Sequence, residues 1–344
     1  MQTHLADFIK DTAAGQEADE ILRKCTHCGF CLANCPTYRL LGDELDSPRG
    51  RIYQIKQVLE GETPTQSLQL HLDRCLTCRA CETTCPSGVE YGRLADLGRE
   101  IVEAQVPRPP VQGWLRLALR SVLPRPRLFA SLLAMGRVVR PLVPGALRKK
   151  IRPRRSAPAW PSTQSRERFV LMLEGCVQPA LEPPINPQTA GILEGLGIGV
   201  RRTREVSCCG AIDQHLGAPD ASGCGAQVKD YGHLLADDPD YADKAARVTE
   251  LAIDPIELLE AHADRLAPAD DAPRRVAFQT PCTLQHAQRL NGRVDALMAR
   301  IGFEMTPVPD GHICCGSAGT YSVLQPELAG QLRSQKLDNL ATGD

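Results

Sequence analysis

The sequence predicts a multidomain α+β protein, in which an N-terminal helical domain is followed by two copies of an α/β module. Two cysteine runs of identical spacing lie between Cys25 and Pro86, among apolar residues at helical spacing. The C-terminal part alternates short apolar strands with helices, and there a lone cysteine followed by a Cys-Cys-Gly sequence occurs twice. Together, these patterns predict the fold class.

Both N-terminal runs read C-x₂-C-x₂-C-x₃-C-P, the first from Cys25 to Pro36 and the second from Cys75 to Pro86. This spacing is typical of bacterial ferredoxins, in which three thiolates of a run hold one [4Fe–4S] cluster and the fourth reaches the other cluster. A pair of structural zinc sites is the alternative, but zinc seldom uses four closely spaced cysteines followed by proline twice. We therefore predict one [4Fe–4S] cluster on Cys25, Cys28, Cys31 and Cys85, and a second on Cys75, Cys78, Cys81 and Cys35.

Residues 1–103 are predicted to form this helical ferredoxin domain. Apolar residues at helical spacing predict helices over residues 4–24 and 49–59, and a further helix beginning over residues 68–72. The apolar faces of these helices would bury the clusters and limit their access to solvent, which tunes a reduction potential.

Composition and net charge limit the classes of function that the chain can have. The chain has 344 residues, a net charge of −1 and 15 cysteines. The charge gives no reason to expect a nucleic-acid partner, and the cysteine pattern indicates a metalloprotein of a reducing compartment. We expect no signal peptide from the N-terminal residues, and no apolar run approaches the roughly 20 residues that a membrane span needs.

Residues 104–166 differ from the rest of the chain, because they contain fourteen lysine or arginine residues and neither aspartate nor glutamate. Short amphipathic helices are predicted around Trp114 and over Leu128 to Val139, followed by a basic cluster at Arg148, Lys149, Lys150, Arg152, Arg154 and Arg155. This segment has two equally supported interpretations. It is either a surface that docks on anionic lipid or a partner protein, or a solvated linker between domains.

The remainder is predicted to form two cysteine-rich α/β modules, at residues 167–247 and 248–344. Strands are predicted over 169–173 and 198–201 in the first module, and over 276–279 and 303–308 in the second, with a linking helix over 248–265. The same number of residues separates the lone cysteine from the cysteine pair in both. Parallel sheets place sites at strand ends, so the candidate metal ligands here are Cys176, Cys208, Cys209, Cys282, Cys314 and Cys315. We find no flavin or dinucleotide fingerprint.

Four segments carry a resemblance to a known family. They are residues 41–53 (LGDELDSPRGRIY), 173–179 (LEGCVQP), 282–288 (CTLQHAQ) and 314–321 (CCGSAGTY). With the two cysteine runs, they make nearly the whole chain resemble the iron–sulfur subunit of bacterial glycolate oxidase. The iron–sulfur subunits of lactate-utilisation systems, anaerobic glycerol-3-phosphate dehydrogenase and heterodisulfide reductase are similar, less closely.

The resemblance implies an electron-transfer subunit of a flavin-dependent 2-hydroxy-acid dehydrogenase. FAD-containing subunits would oxidise glycolate to glyoxylate, and this chain would pass the electrons to quinone or another membrane acceptor while not being catalytic in isolation. The protein would be cytoplasmic and peripheral on the inner face of the cytoplasmic membrane. The alternatives are a thiol–disulfide reductase subunit like heterodisulfide reductase, the iron–sulfur subunit of a lactate or glycerol-3-phosphate dehydrogenase, and a zinc-binding scaffold.

Two departures from the family pattern concern the cysteine-rich modules. Family modules carry a further cysteine well after the pair, and Cys224 resembles it although it follows Cys209 closely. The second module has no such cysteine before Asp344 and is expected to be truncated. The occupant of these modules is expected to be a further iron–sulfur cluster, zinc or nothing.

Overall fold

The computed structural model describes residues 1–142, 144, 148, 151, 153–162, 166–203, 208–212 and 223–342. The described chain forms two compact units, one built from Met1–Pro109 with Gly217–Asp344 and the other from Pro110–Leu216. Small parallel sheets accompany many helices, which confirms the predicted α+β class. The four-part division into domains stays a prediction. Lys149, Lys150 and Arg152 of the basic cluster lie outside the described residues.

The N-terminal part of the first unit is helical. Its helices are α1 (Ala13–Lys24), α2 (Pro36–Leu41), α3 (Pro48–Leu59), α4 (Gln66–Asp73), α5 (Ala80–Thr83) and α6 (Tyr91–Gln105), with a 3₁₀ turn at Glu44–Asp46.

Side-chain caps define where these helices begin. The Ser47 hydroxyl accepts from the Gly50 N–H at the start of α3, and Pro48 at the first helical position has no N–H to leave unpaired. Thr65 caps α4 in the same way by accepting from Leu68 N–H. Helices are thus confirmed over 49–59 and 68–72.

The predicted helix over residues 4–24 is wrong in its first half. The helix starts at Ala13, because the Thr12 hydroxyl accepts from the Gly15 N–H and ends the preceding turns. Gly15 is required there, since a Cβ would lie 2.0 Å from the Ile9 carbonyl oxygen. The apolar residues of the preceding turns still reach the core, as the burial of Ile9 shows.

The second unit contains two amphipathic helices and the first sheet. Its elements are α7 (Pro110–Val122), α8 (Pro126–Val139), β1 (Phe169–Met172), α9 (Gln178–Leu181), α10 (Ile185–Gly195) and β2 (Gly199–Arg202). Strands β1 and β2 are parallel, with Phe169 opposite Gly199 and Met172 opposite Arg202. The predicted strands are confirmed, and so are the helices of the basic segment.

The C-terminal part of the first unit holds the second sheet. Its elements are α11 (Cys224–Lys229), α12 (Tyr231–Leu234), α13 (Ala242–Leu251), α14 (Pro255–Glu260), β3 (Arg275–Ala277), α15 (Arg293–Arg300), β4 (Glu304–Thr306), α16 (Tyr321–Leu324) and α17 (Pro326–Ala341). A 3₁₀ turn at Ala263–Arg265 and a π-helical turn at Thr283–Ala287 complete it. Strands β3 and β4 are again parallel, with Arg275 opposite Glu304.

The single linking helix predicted over residues 248–265 is wrong, because the chain there breaks into α13, α14 and a 3₁₀ turn. Asp254 and Glu257 form a capping box at the start of α14, and Pro255 occupies its first position. This proline cannot continue the preceding helix, so α13 ends at Leu251.

Close packing of α3 against α6 joins the two segments that flank the cysteine runs. Ile55 of α3 is almost fully buried against Gly98 of α6, where a Cβ would lie 2.7 Å from Ile55 Cγ1. The absence of a side chain at Gly98 therefore sets how closely these helices approach.

We expect Gly98→Ala to lower the free energy of unfolding by about 1–2 kcal/mol, because overpacking outweighs the roughly 1 kcal/mol gain in helix propensity. Gly330→Ala in α17 is the matched control, since its Cβ meets nothing within 4 Å and only propensity acts. Urea unfolding followed by circular dichroism measures both. Stabilisation by both substitutions would contradict the packing.

Candidate metal centres

The two ferredoxin-type cysteine runs share an unusual backbone conformation. Positive φ angles occur at His27 (60°) and Gly29 (86°) in the first run, and at the equivalent Thr77 (47°) and Arg79 (60°) in the second. Residues other than glycine pay for such angles, and they persist where surrounding structure imposes them, commonly at functional sites. The same strained conformation at equivalent positions therefore indicates that both loops serve the same function.

A first cavity is lined by the four thiols assigned to one cluster. Cys25, Cys28, Cys31 and Cys85 all border it, and so does Cys81. Its other lining residues include Ile52, Pro86, Val89 and Tyr91. Three cysteines of the first run and the last cysteine of the second thus meet across one largely apolar space.

A second cavity is lined by the thiols assigned to the other cluster. Cys35, Cys75, Cys78 and Cys81 border it, together with Thr37, Arg51, Thr77 and Tyr91. The structure brings together each predicted set of four, although Cys81 borders both cavities, and the assignment of ligands to clusters stays a proposal. The donor chemistry fits iron–sulfur clusters, because each space is apolar and surrounded by thiols.

The thiols of the two cavities differ in their proton affinity. Burial raises the pKa of Cys31 to about 12 and raises those of Cys78 and Cys81 well above the ordinary value. Burial also raises the pKa of Cys75, but the charges of Arg51 and Arg99 outweigh it, so this pKa is lower than usual. Binding of metal releases the protons that the other thiols hold.

A buried charge network lies beside the second cavity. The Asp46 carboxylate, fully buried, accepts from Arg51 Nη2 at 3.1 Å and from Arg74 Nη1 at 2.8 Å, and His71 Nδ1 lies 3.1 Å from it. Arg51, only 1% exposed, also donates to the Thr37 hydroxyl at 3.2 Å and approaches Cys35 Sγ to 4.0 Å. Two arginines share one carboxylate, so one positive charge is left over.

Further donors surround Cys75 itself. The Tyr91 hydroxyl and the Thr77 N–H each donate to Cys75 Sγ at 3.4 Å. Arg99, also buried, donates to the Cys75 carbonyl at 2.9 Å and to the Thr77 hydroxyl at 2.7 Å. These contacts hold the loop that begins the second run.

The first cysteine-rich module groups its three thiols at the ends of β1 and β2. Cys176 follows β1, and its pKa is raised to about 12 by burial and by the neighbouring Cys208 and Cys209 thiols. Cys209 is buried and Cys208 half-buried. The three predicted ligands within this unit are therefore close together.

The second cysteine-rich module groups its thiols in the same way after β3 and β4. Hydrogen bonds link Cys314 to Cys282 and to Cys315, and the Cys282 bond raises the pKa of Cys314 to about 12. The Lys336 ammonium is buried nearby and donates to the Asp310 carbonyl at 2.6 Å. Burial lowers its pKa, and the neighbouring thiols oppose that effect.

This second module packs directly on the loop of the second cysteine run. Leu76 and Cys78 share an apolar cluster with Cys314 and Tyr321, and the Tyr321 hydroxyl donates to the Arg74 carbonyl at 3.1 Å. His286 Nδ1 lies 2.9 Å from the Thr83 hydroxyl on α5. One candidate metal centre thus adjoins another within the first unit.

Cys224, the remaining predicted ligand, is exposed at the first residue of α11. Its role as a ligand stays a prediction.

Sequence reasoning missed the polar residues that surround the second cavity. Asp46 and Arg51 both lie in the segment 41–53 that carries the resemblance, so that segment was the available signal. Tyr91 and Arg99 lie on α6, which no pattern predicted.

Comparison with known proteins agrees with this arrangement of sites. The family described as "4Fe-4S dicluster domain" matches residues 21–89, and that described as "Cysteine-rich domain" matches residues 170–229 and 276–344. No solved structure matches the chain significantly.

Relatives of the chain include proteins that match nearly all of it and others that match about half of it. The "Glycolate oxidase iron-sulfur subunit" of Escherichia coli K12 is 51% identical, over 100% of this chain and 91% of that protein. The "Probable glycolate oxidase iron-sulfur subunit" of Bacillus subtilis is 30% identical over 92% of this chain and 83% of its own length. "Lactate utilization protein A" of Exiguobacterium sp. is 24% identical over 50% of this chain and 80% of that protein. The chain therefore belongs to the family of glycolate oxidase iron–sulfur subunits.

Proposed function

We propose that this chain is the electron-transfer subunit of a glycolate dehydrogenase complex. The observation that carries the proposal is the convergence of eight thiols on two adjacent apolar cavities. The similarity to glycolate oxidase iron–sulfur subunits supports glycolate as the substrate of the complex. In our proposal, FAD-containing partner subunits oxidise glycolate to glyoxylate and pass the electrons to this chain. When bound, two [4Fe–4S] clusters supply one-electron carriers that the protein shields from water.

The ligand sets that support this function are crossed between the two runs. Cys25, Cys28, Cys31 and Cys85 hold one cluster in our proposal, and Cys75, Cys78, Cys81 and Cys35 hold the other. Pro36 and Pro86 directly follow the two outlying cysteines, and Pro36 starts α2, so each outlying thiol lies where its run ends. The runs must therefore be folded against each other before either cluster has four ligands.

The cysteine-rich modules have a less defined role in this proposal. Their thiols are grouped and carry raised pKa values, so a further iron–sulfur cluster or zinc can be held at either module on loss of the thiol protons. Because Cys314 adjoins Cys78, a redox group at the second module would lie next to the ferredoxin-type centres.

We also propose that the second unit docks the complex on the inner face of the membrane, where quinone is the acceptor. Val111, Trp114 and Leu117 of α7 are more than half exposed, as are Met135 and Val138 of α8. No helix in the described part of the chain is long and apolar enough to cross a membrane. Such exposed side chains among basic residues suit the interface of an anionic bilayer.

The crossed ligand sets predict which cysteine variants share a spectrum. Anaerobically purified chain should contain about eight iron atoms in the ferredoxin-type sites. Cys85→Ser should give the residual electron paramagnetic resonance (EPR) signal seen in Cys28→Ser, and Cys35→Ser that seen in Cys78→Ser, since each pair loses the same cluster. The exposed Cys224→Ser is the control and should retain both signals. A Cys85→Ser spectrum that matches Cys78→Ser would show that the ligands are not crossed.

The isolated chain should bind no flavin and should not oxidise glycolate with an artificial acceptor. Adding glycolate anaerobically should bleach the iron–sulfur absorbance of the chain only when the flavin subunits are present. Stoichiometric flavin in the purified chain, or bleaching by glycolate alone, would overturn the assignment as a carrier subunit.

Membrane docking predicts flotation of the chain with anionic vesicles. Trp114→Ser combined with Leu117→Ser should weaken binding, because apolar side chains no longer enter the interface, and added salt should weaken it by screening basic residues worth on the order of 1 kcal/mol each. Leu251→Ser, an equally exposed leucine on α13, is the matched control and should bind as the unaltered chain does. Failure of the unaltered chain to float would exclude this membrane role.

A further inference from the structure

The surroundings of the two ferredoxin-type cavities differ in electric charge. Beside the first cavity, Arg49 is 31% exposed and pairs with Glu44 at 2.7 Å, so that water screens its charge and a carboxylate balances it. Beside the second cavity, Arg51 is 1% exposed, and the buried carboxylate of Asp46 that pairs with it also pairs with Arg74, which is 28% exposed. Arg51 therefore has only part of one carboxylate to balance a charge that water does not reach. A buried charge acts more strongly because the protein interior screens it less.

The positive charge of Arg51 lies close to the thiols of the second cavity. Arg51 Nη1 lies 4.0 Å from Cys35 Sγ and 3.2 Å from the Thr37 hydroxyl, which in turn lies 3.3 Å from Cys35 Sγ. On the opposite ligand, the Tyr91 hydroxyl donates to Cys75 Sγ. Cations and hydrogen bonds directed at ligand sulfurs are among the factors that set the potential of an iron–sulfur cluster.

We propose that Arg51, assisted by Tyr91, raises the reduction potential of the cluster held by Cys35, Cys75, Cys78 and Cys81. Reduction adds one electron to the cluster and its thiolates without making or breaking a bond, so the site becomes more negative by one charge. A fixed cation and a hydroxyl donor stabilise the reduced state more than the oxidised state. Both residues are thus positioning groups that act through the sulfur ligands, and the inference rests on the proposed ligand sets.

The test is an EPR-monitored redox titration of the full chain, purified anaerobically and reduced with dithionite in the presence of mediators. The signal that disappears in Cys78→Ser identifies the second cluster. Arg51→Met should make reduction of that cluster at least tenfold less favourable, a fall of about 59 mV for a one-electron couple. Arg108→Met is the matched control, because the Arg108 side chain is only 8% exposed and is also paired, but with Asp73 and Glu103. It should leave the potential unchanged.

Two further variants separate charge from structural loosening. Asp46→Asn removes the shared negative charge and should raise the potential, opposite in sign to Arg51→Met, whereas loosening of the network would shift both variants in the same direction. Tyr91→Phe should also lower the potential, but by less than Arg51→Met. The equilibrium constant for reduction should fall severalfold, since only one hydrogen bond is lost. Arg51→Lys keeps the charge and should retain most of the unaltered potential.

The outcomes distinguish this inference from the proposed function. Absence of two cluster signals in the unaltered chain overturns both. If the unaltered chain shows two cluster signals but Arg51→Met and Arg108→Met have equal potentials, only the role of Arg51 is overturned and the proposed function stands. If Arg51→Met assembles no second cluster, Asp46→Asn and Tyr91→Phe decide: shifts of opposite sign support the proposal, and equal or absent shifts overturn it.

Discussion

The buried carboxylate of Asp46 ties together the segments from which the second cysteine site is built. The carboxylate pairs with Arg51 at the start of α3 and with Arg74, which directly precedes Cys75. The backbone carbonyl of Asp46 accepts from the hydroxyl of Thr37, two residues after Cys35. An isolated buried charge costs several kcal/mol, so the carboxylate and its arginines hold one another in place. The segment between the two runs therefore has a structural role, because its charged residues Asp46, Arg51 and Arg74 hold Cys35 close to the second run.

The two groups of cysteines could be predicted from the sequence because cluster binding imposes a local spacing on its ligands. The same reasoning predicted two sets of four cysteines, and each set borders one cavity, but Cys81 borders both, so the assignment of ligands stays a proposal. Asp46, Arg51 and Tyr91 could not be predicted in this way, because nothing in their spacing relates them to Cys35 or Cys75. Their proximity depends on the packing of α3 against α6, which the sequence shows only as a glycine at position 98.

Secondary structure followed local patterns where those patterns were unambiguous. The four strands are short, each with at least one apolar residue, and all four lie where they were predicted to within a few residues. The helices over residues 4–24 and 248–265 were predicted too long, since Thr12 and Asp254 cap helices that begin within these segments. The contact of the second cysteine-rich module with Leu76 and Cys78 depends on tertiary packing alone. It places a third group of thiols beside the ferredoxin-type centres.

The two cysteine runs, in our proposal, fold into one core that holds two adjacent clusters. Cys81, Tyr91 and Pro48 border both cavities, so the two clusters would lie side by side. The most direct test is EPR spectroscopy of the anaerobically purified chain after full reduction with dithionite. We expect two reduced [4Fe–4S] signals broadened by mutual magnetic coupling. A single uncoupled signal, or zinc in place of iron with no signal, would contradict it.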